Sequence, residues 1–201
     1  MADSAVGVEL LVIATPDGVV AEVAAAVRPV GTTVVAHLAG SLGLDVLAPH
    51  ARRASFHPLR SIPSGQVDLR GAWFAVAGDE LARRVVDDLG GRPVEVDDDH
   101  RVAYHAAATI ASNHLVALLG QAERVAATAG VPLEAYLDLV RQTVDNVARL
   151  GPAEALTGPV RRGDWATVER HLAALATEER AGYEALAALA ARLVPGQGVQ
   201  P

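Results

Sequence analysis

The stretch Val8–Gly18, with the sequence VELLVIATPDG, decides how the chain begins to fold. Its first part, Val8–Ala14, is an almost continuous apolar run, which is typical of a buried β-strand. Residues 15–18 (TPDG) then supply turn residues, and Asp17 is placed to cap a following helix. The stretch therefore predicts a strand, a tight turn and a helix, which together are the repeating unit of an α/β fold.

The same alternation of short strands and helices continues as far as residue 96. Further strands are predicted at residues 32–37, 53–57, 73–77 and 93–96, with a helix at 79–89. Because short helices separate these strands, we expect a sheet whose pairing is at least partly parallel. Residues 1–96 are thus predicted to form an α/β domain.

After the acidic cluster at 97–99, the pattern becomes helical throughout, which predicts an all-α domain over residues 97–201. One helix is expected over 100–130, with a kink at Gly120. A second runs from Pro132 to Leu150, since proline suits the first turn of a helix. A third is expected from Asp164 to Leu193.

Composition limits the function. Of 201 residues 51% are hydrophobic, enough for a substantial core, and a net charge of −7 argues against nucleic acid or an anionic membrane as partner. All 17 basic residues are arginine, which excludes Schiff-base and P-loop lysines. The absence of cysteine excludes thiol nucleophiles and disulfides. Since no targeting signal or long uninterrupted apolar run is visible, we expect a cytoplasmic protein with no membrane span.

Polar residues, a proline and a glycine follow the first two predicted strands. They are Thr15, Pro16 and Asp17 after the first strand, and His37, Gly40 and Ser41 after the second. Ligands of open α/β sheets bind outside the carboxyl ends of the strands, so these residues are candidates for a ligand crevice. An ordinary capped turn and a surface loop are the alternative interpretations.

Two further groups of polar residues could carry chemistry. His57 ends the third strand beside Pro58, where it is either an acid or base or a structural hydrogen-bonding group. The helix from residue 100 carries polar residues at spacing i, i+4, i+7 and i+8 on an otherwise apolar helix: His105, Thr109, Ser112 and Asn113. Such a shared polar face needs partners. A ligand, a second helix and a metal ion all stay open as partners, although no metal-ligand spacing is present.

Several linked motifs occur in the order known from one family. They are residues 37–49 (HLAGSLGLDVLAP), 55–59 (SFHPL), 78–79 (GD), 104–113 (YHAAATIASN) and 156–164 (LTGPVRRGD). The chain resembles NAD(P)-dependent oxidoreductases in which a Rossmann-like domain precedes a helical domain of unknown function. That architecture is similar to those of pyrroline-5-carboxylate reductase, ketopantoate reductase and 6-phosphogluconate dehydrogenase. The resemblance implies a truncated Rossmann-like, mostly parallel sheet followed by an all-α domain like the C-terminal domain of the last enzyme.

The resemblance also implies an activity and a set of site residues. The activity is hydride transfer between NADP or NAD and a small keto or hydroxy acid. Residues bordering the cofactor would be Thr15, Pro16, Asp17, His37, Gly40 and Ser41. His105 and Asn113 would bind and polarise the substrate oxygen with support from Ser112, and His57 would close the pocket.

The sequence departs from the family pattern in three places. It contains no Gly-x-Gly-x-x-Gly turn of the kind that binds a pyrophosphate, which predicts weak or absent cofactor binding by these residues. Ala39 stands where the family commonly has serine, and Arg101 stands where it often has lysine. The alternative function is therefore a non-catalytic paralogue, or a shortened product, that keeps a dimeric helical scaffold and a small-ligand pocket.

A homodimer through the helical domain is the predicted assembly. The predicted final helix carries an apolar stripe formed by Leu172, Leu175, Leu186, Leu189 and Leu193. One thin α/β layer can hardly cover this stripe and the apolar helix from residue 100 together, and a large exposed apolar surface usually marks an interface. A monomeric bundle is the alternative.

Overall fold

The computed structural model describes residues 1–63 and 67–194. By its contacts the chain consists of two compact units, Met1–Leu115 and Val116–Pro201. The first unit thus includes the start of the long helix as well as the sheet. The domain boundary at 96/97, which rests on composition, stays a prediction.

The first unit contains a five-stranded sheet with helices. Its elements are β1 (Leu10–Ile13), α1 (Val20–Ala26), β2 (Val34–His37), β3 (Arg52–Pro58), β4 (Trp73–Gly78), α2 (Leu81–Asp88), β5 (Arg92–Glu95) and α3 (Arg101–Thr109). The strand order is β1-β2-β3-β4-β5. β1, β2 and β3 are parallel, β4 is antiparallel to β3, and β5 is parallel to β4. The predicted strands and the mostly parallel sheet are confirmed.

Apolar residues on both sheet faces explain why the central strands read as continuous apolar runs. Successive side chains of a strand point to opposite faces. On β2, Val34 and Ala36 join one core cluster, which includes residues of α2. Val35 joins the second cluster, which includes residues of α1 and of the short 3₁₀ turn Leu44–Leu47. His37 ends β2 on the same face as Val35. The imidazole of His37 is therefore a polar group on the face that packs against α1, and β2 has only Val34 and Ala36 on the opposite face.

The second unit is helical. Its elements are α4 (Leu115–Thr128, whose first residue belongs to the first unit), α5 (Glu134–Leu150), α6 (Pro152–Ala155), α7 (Gly158–Arg162), α8 (Trp165–Ala174) and α9 (Thr177–Ala191). Its buried core consists of Val160, Val168 and Ala191, with Trp165, Leu172 and Tyr183 among the partly buried side chains around it. The helix predicted to run from Pro132 to Leu150 is confirmed as α5.

The irregularity of the long helix lies before the predicted position. Gly120 lies inside regular α4, so the predicted kink there is wrong. The irregular part is a π-helical turn at Ile110–His114, between α3 and α4. A π-turn adds a residue to one turn of helix. It therefore rotates residues 112 and 113 away from the positions that a uniform helix would give them relative to His105.

The single final helix predicted from Asp164 to Leu193 is also wrong. Leu175 and Ala176 have extended ψ angles of 142° and 148°, which end α8 and start α9. The two helices contribute Val168 and Ala191 to the same core. Tertiary packing thus overrides an Ala- and Leu-rich sequence that favours one continuous helix. The five leucines consequently do not form one helical stripe.

An apolar helical surface is left uncovered. Counted through its π-turn, Asp98–Thr128 has 31 residues, and its most apolar 18-residue window has a mean hydropathy of 1.2, with none of that window buried. By length and composition alone this segment would be long enough to cross a membrane. The expectation of no membrane span therefore rests on the polar residues that the segment carries.

Candidate functional site

The closest approach in the candidate site lies between the loop after β2 and the imidazoles of β3 and α3. A Cβ at Gly40 would lie 2.6 Å from Cδ2 of His105 and 3.0 Å from Nε2 of His57. The two imidazole centroids are 6.1 Å apart, with ring planes inclined at 76°. The structure therefore brings together Gly40, His57 and His105, and only glycine leaves room for both rings.

His57 forms a hydrogen-bonded pair with Tyr104. Nδ1 of His57 lies 2.8 Å from the Tyr104 hydroxyl oxygen, and the two rings meet edge to face. Burial lowers the pKa of His57, and the neighbouring His105 and Arg101 charges lower it further. Burial raises the pKa of Tyr104. At neutral pH the pair is thus a neutral imidazole beside a protonated phenol, an arrangement that can pass a proton in either direction.

The buried side chain of Arg101 lies near the His57–Tyr104 pair. Its side chain is 1% exposed, and one Nη2 hydrogen is donated to Oγ of Ser55, a fully buried residue of β3. Among the described residues, Nε and Nη1 have no hydrogen-bond partner. Burial lowers the pKa of Arg101, but a guanidinium stays protonated in proteins. The site thus contains a buried cation whose hydrogen-bonding capacity is largely unused.

His37 uses both of its ring nitrogens within the chain. The backbone N–H of Ala39 donates to Nδ1, so Nε2 carries the hydrogen and donates to the Gly43 carbonyl oxygen 3.2 Å away. Burial lowers its pKa, more than the Gly43 hydrogen bond raises it. These contacts fix the loop that carries Gly40. His37 therefore shapes the predicted cofactor crevice from below, and its predicted contact with a cofactor stays a prediction.

The loops after β1 and β2 meet because these two strands are parallel neighbours. Ser41 Oγ donates to Asp17 Oδ2 at 3.3 Å, while Thr15 and Pro16 are exposed at the same end of the sheet. The predicted capping role of Asp17 is wrong, because neither the 3₁₀ turn at residues 17–19 nor α1 has a side-chain cap. The carboxylate bridges the two loops instead.

Asp98 attaches the start of the long helical segment to the loop after β2. Its Oδ2 accepts a 2.9 Å hydrogen bond from the backbone N–H of Leu44. A Cβ at Gly43 would lie 3.0 Å from the same carboxylate. The contact holds α3 in register with the loop that contains Gly40.

Ser112 and Asn113 lie in the π-turn. Ser112 is partly exposed and Asn113 is exposed. Within the described residues, no hydrogen bond joins either side chain to His57 or His105. Their predicted role at the substrate oxygen stays a prediction, and the π-turn is itself a feature that often marks functional sites.

The sequence analysis gave no role in the site to three residues of this cluster, which are Ser55, Arg101 and Tyr104. Arg101, Tyr104 and His105 have spacing i, i+3 and i+4, which places them on one helix face. The spacing of Arg101 and Tyr104 relative to His105 was the signal in the sequence that the polar face extends towards the start of the helix. Ser55 gave no signal, because one serine in an apolar strand is uninformative. Of residues 1–63 and 67–194, no three His, Asp or Glu are grouped to hold a metal ion.

The residues present fit one end of a dinucleotide cofactor. In the predicted crevice between the loops after β1 and β2, Asp17 and Ser41 offer polar groups, and the buried Gly40 lies against the imidazoles of His57 and His105. Such a crevice at the carboxyl ends of parallel strands suits a flat ring with an amide group. The 201 residues contain no Gly-x-Gly-x-x-Gly turn for a pyrophosphate, so the fit concerns the nicotinamide end alone.

Comparisons with solved structures support this fold. A provisionally assigned NADP oxidoreductase from Bacteroides fragilis matches with a TM-score of 0.79 and 22% identity, over 96% of this chain and 80% of that one. A protein from Thermotoga maritima matches with a TM-score of 0.77 and 26% identity, over 92% and 78%. A reductive aminase from Aspergillus terreus, in complex with NADPH and ethyl levulinate, matches with a TM-score of 0.64 and 17% identity, over 92% and 74%.

Family comparisons find the two kinds of domain that the resemblance implied, in the same order along the chain. A comparison with curated proteins finds no match. The Rossmann-like domain matches residues 1–62, and a domain of unknown function, DUF2520, matches residues 73–190. Since the second match covers more than half of the chain, the chain belongs to the DUF2520 family, here joined to a Rossmann-like domain.

Proposed function

We propose that this chain is an NAD(P)-dependent oxidoreductase acting on a small keto or hydroxy acid. The observation that carries the proposal is the meeting of Gly40, His57 and His105 at the carboxyl ends of parallel strands. Glycine at position 40 lets the two imidazoles lie together against the backbone, where they can bind a reacting oxygen. The NADPH named with the Aspergillus terreus structure supports the cofactor class.

A nicotinamide, when bound, would supply or accept the hydride. The residues of this chain would bind the substrate oxygen and transfer its proton. His105 holds the substrate oxygen, and His57 closes the pocket beside it. The Tyr104 hydroxyl lies on the other ring nitrogen of His57, so a proton lost or gained at His57 can be exchanged with the phenol. Asn113 is assigned to the same substrate oxygen as His105, with support from Ser112.

A substrate panel tests this function. NADPH at about 1 mM, the upper end of usual Michaelis constants, is mixed with the protein and a series of 2-keto acids while NADPH absorbance is followed. We expect consumption that depends on the keto acid and falls about 10²-fold in His105→Ala. His171→Ala is the control, because His171 is exposed in the second unit. A non-catalytic ligand-binding protein, the alternative function, would show no consumption with any acid.

We also propose that a second copy of the chain covers the apolar surface of Asp98–Thr128. Polar side chains, including Ser112, Asn113 and His114, lie in the same segment. In lipid these groups would be costly, whereas a second protein surface can satisfy them. Exposed Leu186 and Leu189 of α9 add apolar surface in the second unit.

A further inference from the structure

Arg101 is a buried cation without an anion. Its side chain is 1% exposed, and within the described parts of the chain no carboxylate oxygen lies within 4.0 Å of it. Buried charges in proteins are normally paired, because removing an ion from water is energetically costly. Arg101 therefore lacks the partner that its burial requires.

The groups around Arg101 are neutral. Ser55 accepts its one hydrogen bond through a hydroxyl. His37 and His57 both have lowered pKa values, to which the Arg101 charge contributes, and burial raises the pKa of Tyr104. Asp98 is the carboxylate whose charge acts on Arg101, but its Oδ2 is engaged by the Leu44 backbone. None of these residues neutralises the guanidinium by a direct ion pair.

Arg101 lies at the buried end of this cluster. Tyr104 and His105 are one turn further along α3, and both are partly exposed, as is His57. The cluster thus extends from partly exposed imidazoles to a buried guanidinium.

We propose that Arg101 binds the carboxylate of a small monoanionic ligand, with the Ser55 hydroxyl beside it. A carboxylate brings one negative charge to one positive charge and matches the planar donors of a guanidinium. A phosphate dianion would exceed the single positive charge of Arg101 and would add negative charge near Asp98 and Asp17. The proposal rests on the proposed function, because it names the group by which the site holds a keto or hydroxy acid.

Calorimetric titration without any nicotinamide cofactor tests the proposal on the full chain. The probes are pyruvate, its neutral analogue pyruvamide, and inorganic phosphate. We expect wild-type protein to bind pyruvate with a dissociation constant below about 1 mM, the upper end of usual substrate constants. Pyruvamide and phosphate should bind at least tenfold more weakly.

Variants connect the binding to Arg101. Arg101→Met should weaken pyruvate binding about 10- to 100-fold, the usual range for losing a charged hydrogen bond. Arg53→Met is the matched control, because Arg53 lies on β3 and donates to the Leu44 carbonyl oxygen, and it should retain wild-type affinity. Arg101→Lys keeps the charge without the planar fork and should bind with intermediate affinity. Should the methionine variant fail to fold, the lysine variant and the pyruvate–pyruvamide pair decide.

Three outcomes would overturn the proposal. They are equal pyruvate affinity in wild type and Arg101→Met, tighter binding of phosphate than of pyruvate, and no binding of any probe by wild type. Each leaves the oxidoreductase proposal to be judged by NADPH consumption, which is measured separately. Carboxylate binding without consumption would in turn reject the oxidoreductase while supporting the role of Arg101.

Discussion

At the scale of single residues, Gly40 determines whether the site can form. A methyl group there would lie 2.6 Å from His105 and 3.0 Å from His57, so one or both imidazoles must move. Gly40→Ala should destabilise the protein by about 1–3 kcal/mol, as overpacking usually does, and should abolish ligand binding. Denaturant unfolding measures the first effect. Gly31→Ala is the control, because a Cβ at Gly31 meets nothing within 4 Å; equal effects of both substitutions would contradict this description.

The stability of the protein should fall on acidification in part because of His57. Its pKa is lower in the folded chain than the ordinary value of 6.5, so below that pH the unfolded chain binds more protons. Stability is therefore full above pH 6.5, falls as the pH decreases through that value, and levels off below the folded pKa. His37 adds to the same trend.

His57→Gln should reduce the loss of unfolding free energy between pH 7.5 and 5. His105, Arg101, Asp17 and His37 are the charged or titratable groups that act on His57, and all remain in this variant. His171 is a matched control, because it is exposed and its Nδ1 lies 2.7 Å from the hydroxyl oxygen of the partly buried Tyr183. His171→Gln should leave the pH dependence unchanged. An unchanged dependence in His57→Gln would mean that His57 does not titrate as described.

The sequence predicted one half of the residue cluster and not the other. Gly40 and His57 stood out because each follows or ends a predicted strand, and His105 stood out because it belongs to a polar face on an apolar helix. Arg101 was noted as a departure from the family pattern, and no local signal indicated that it is buried. Its burial depends on the meeting of α3 with Ser55 on β3, a long-range contact that local spacing does not encode.

At the scale of elements, strands were predictable and helix interruptions were not. Short runs bounded by turn residues marked all five strands, and the signal is clearest in β2, whose four residues are all buried. The π-turn at residues 110–114 and the break at Leu175 and Ala176 occur in sequence that favours helix. Packing decides both, so local propensity does not show them.

The cap of α8 offers a test at this scale. Asp164 accepts a hydrogen bond from the Thr167 backbone N–H at 3.1 Å and another from its hydroxyl at 2.7 Å. Asp164→Ala should lower the melting temperature by about 2–4 °C, the usual effect of losing one cap in a chain of this size. Asp138→Ala is the control, because Asp138 pairs with Arg141 on the exposed surface of α5. No difference between the two variants would contradict the capping role.

The Thr167 hydrogen bonds lower the pKa of Asp164 below its ordinary value. The stabilisation from the cap is therefore complete at neutral pH and is lost as the pH falls through the folded pKa. The wild type and Asp164→Ala should accordingly have converging melting temperatures in strong acid, which the same melting curves measure.

At the scale of the whole molecule, the homodimer is the main prediction. Light scattering at micromolar concentration should give about twice the chain mass of 20.8 kDa, because an uncovered apolar helix surface favours association. Leu186→Glu should weaken the dimer at least tenfold. Leu59→Glu is the control, since Leu59 and Leu186 are equally exposed, at 42%, and Leu59 follows β3 in the first unit. A monomer in wild type would refute the prediction.

The central claim is that this chain transfers a hydride between a nicotinamide and a small keto acid. The direct measurement uses NADPH labelled with deuterium at C4, in either configuration, with the 2-keto acid that gives the fastest NADPH consumption. Mass spectrometry of the product follows the label. We expect one deuterium at C2 of the resulting hydroxy acid from one of the two labelled cofactors, and about 10²-fold slower formation of this product when His105→Ala replaces the wild type. Product without deuterium from either cofactor, or no product from any keto acid, would contradict it.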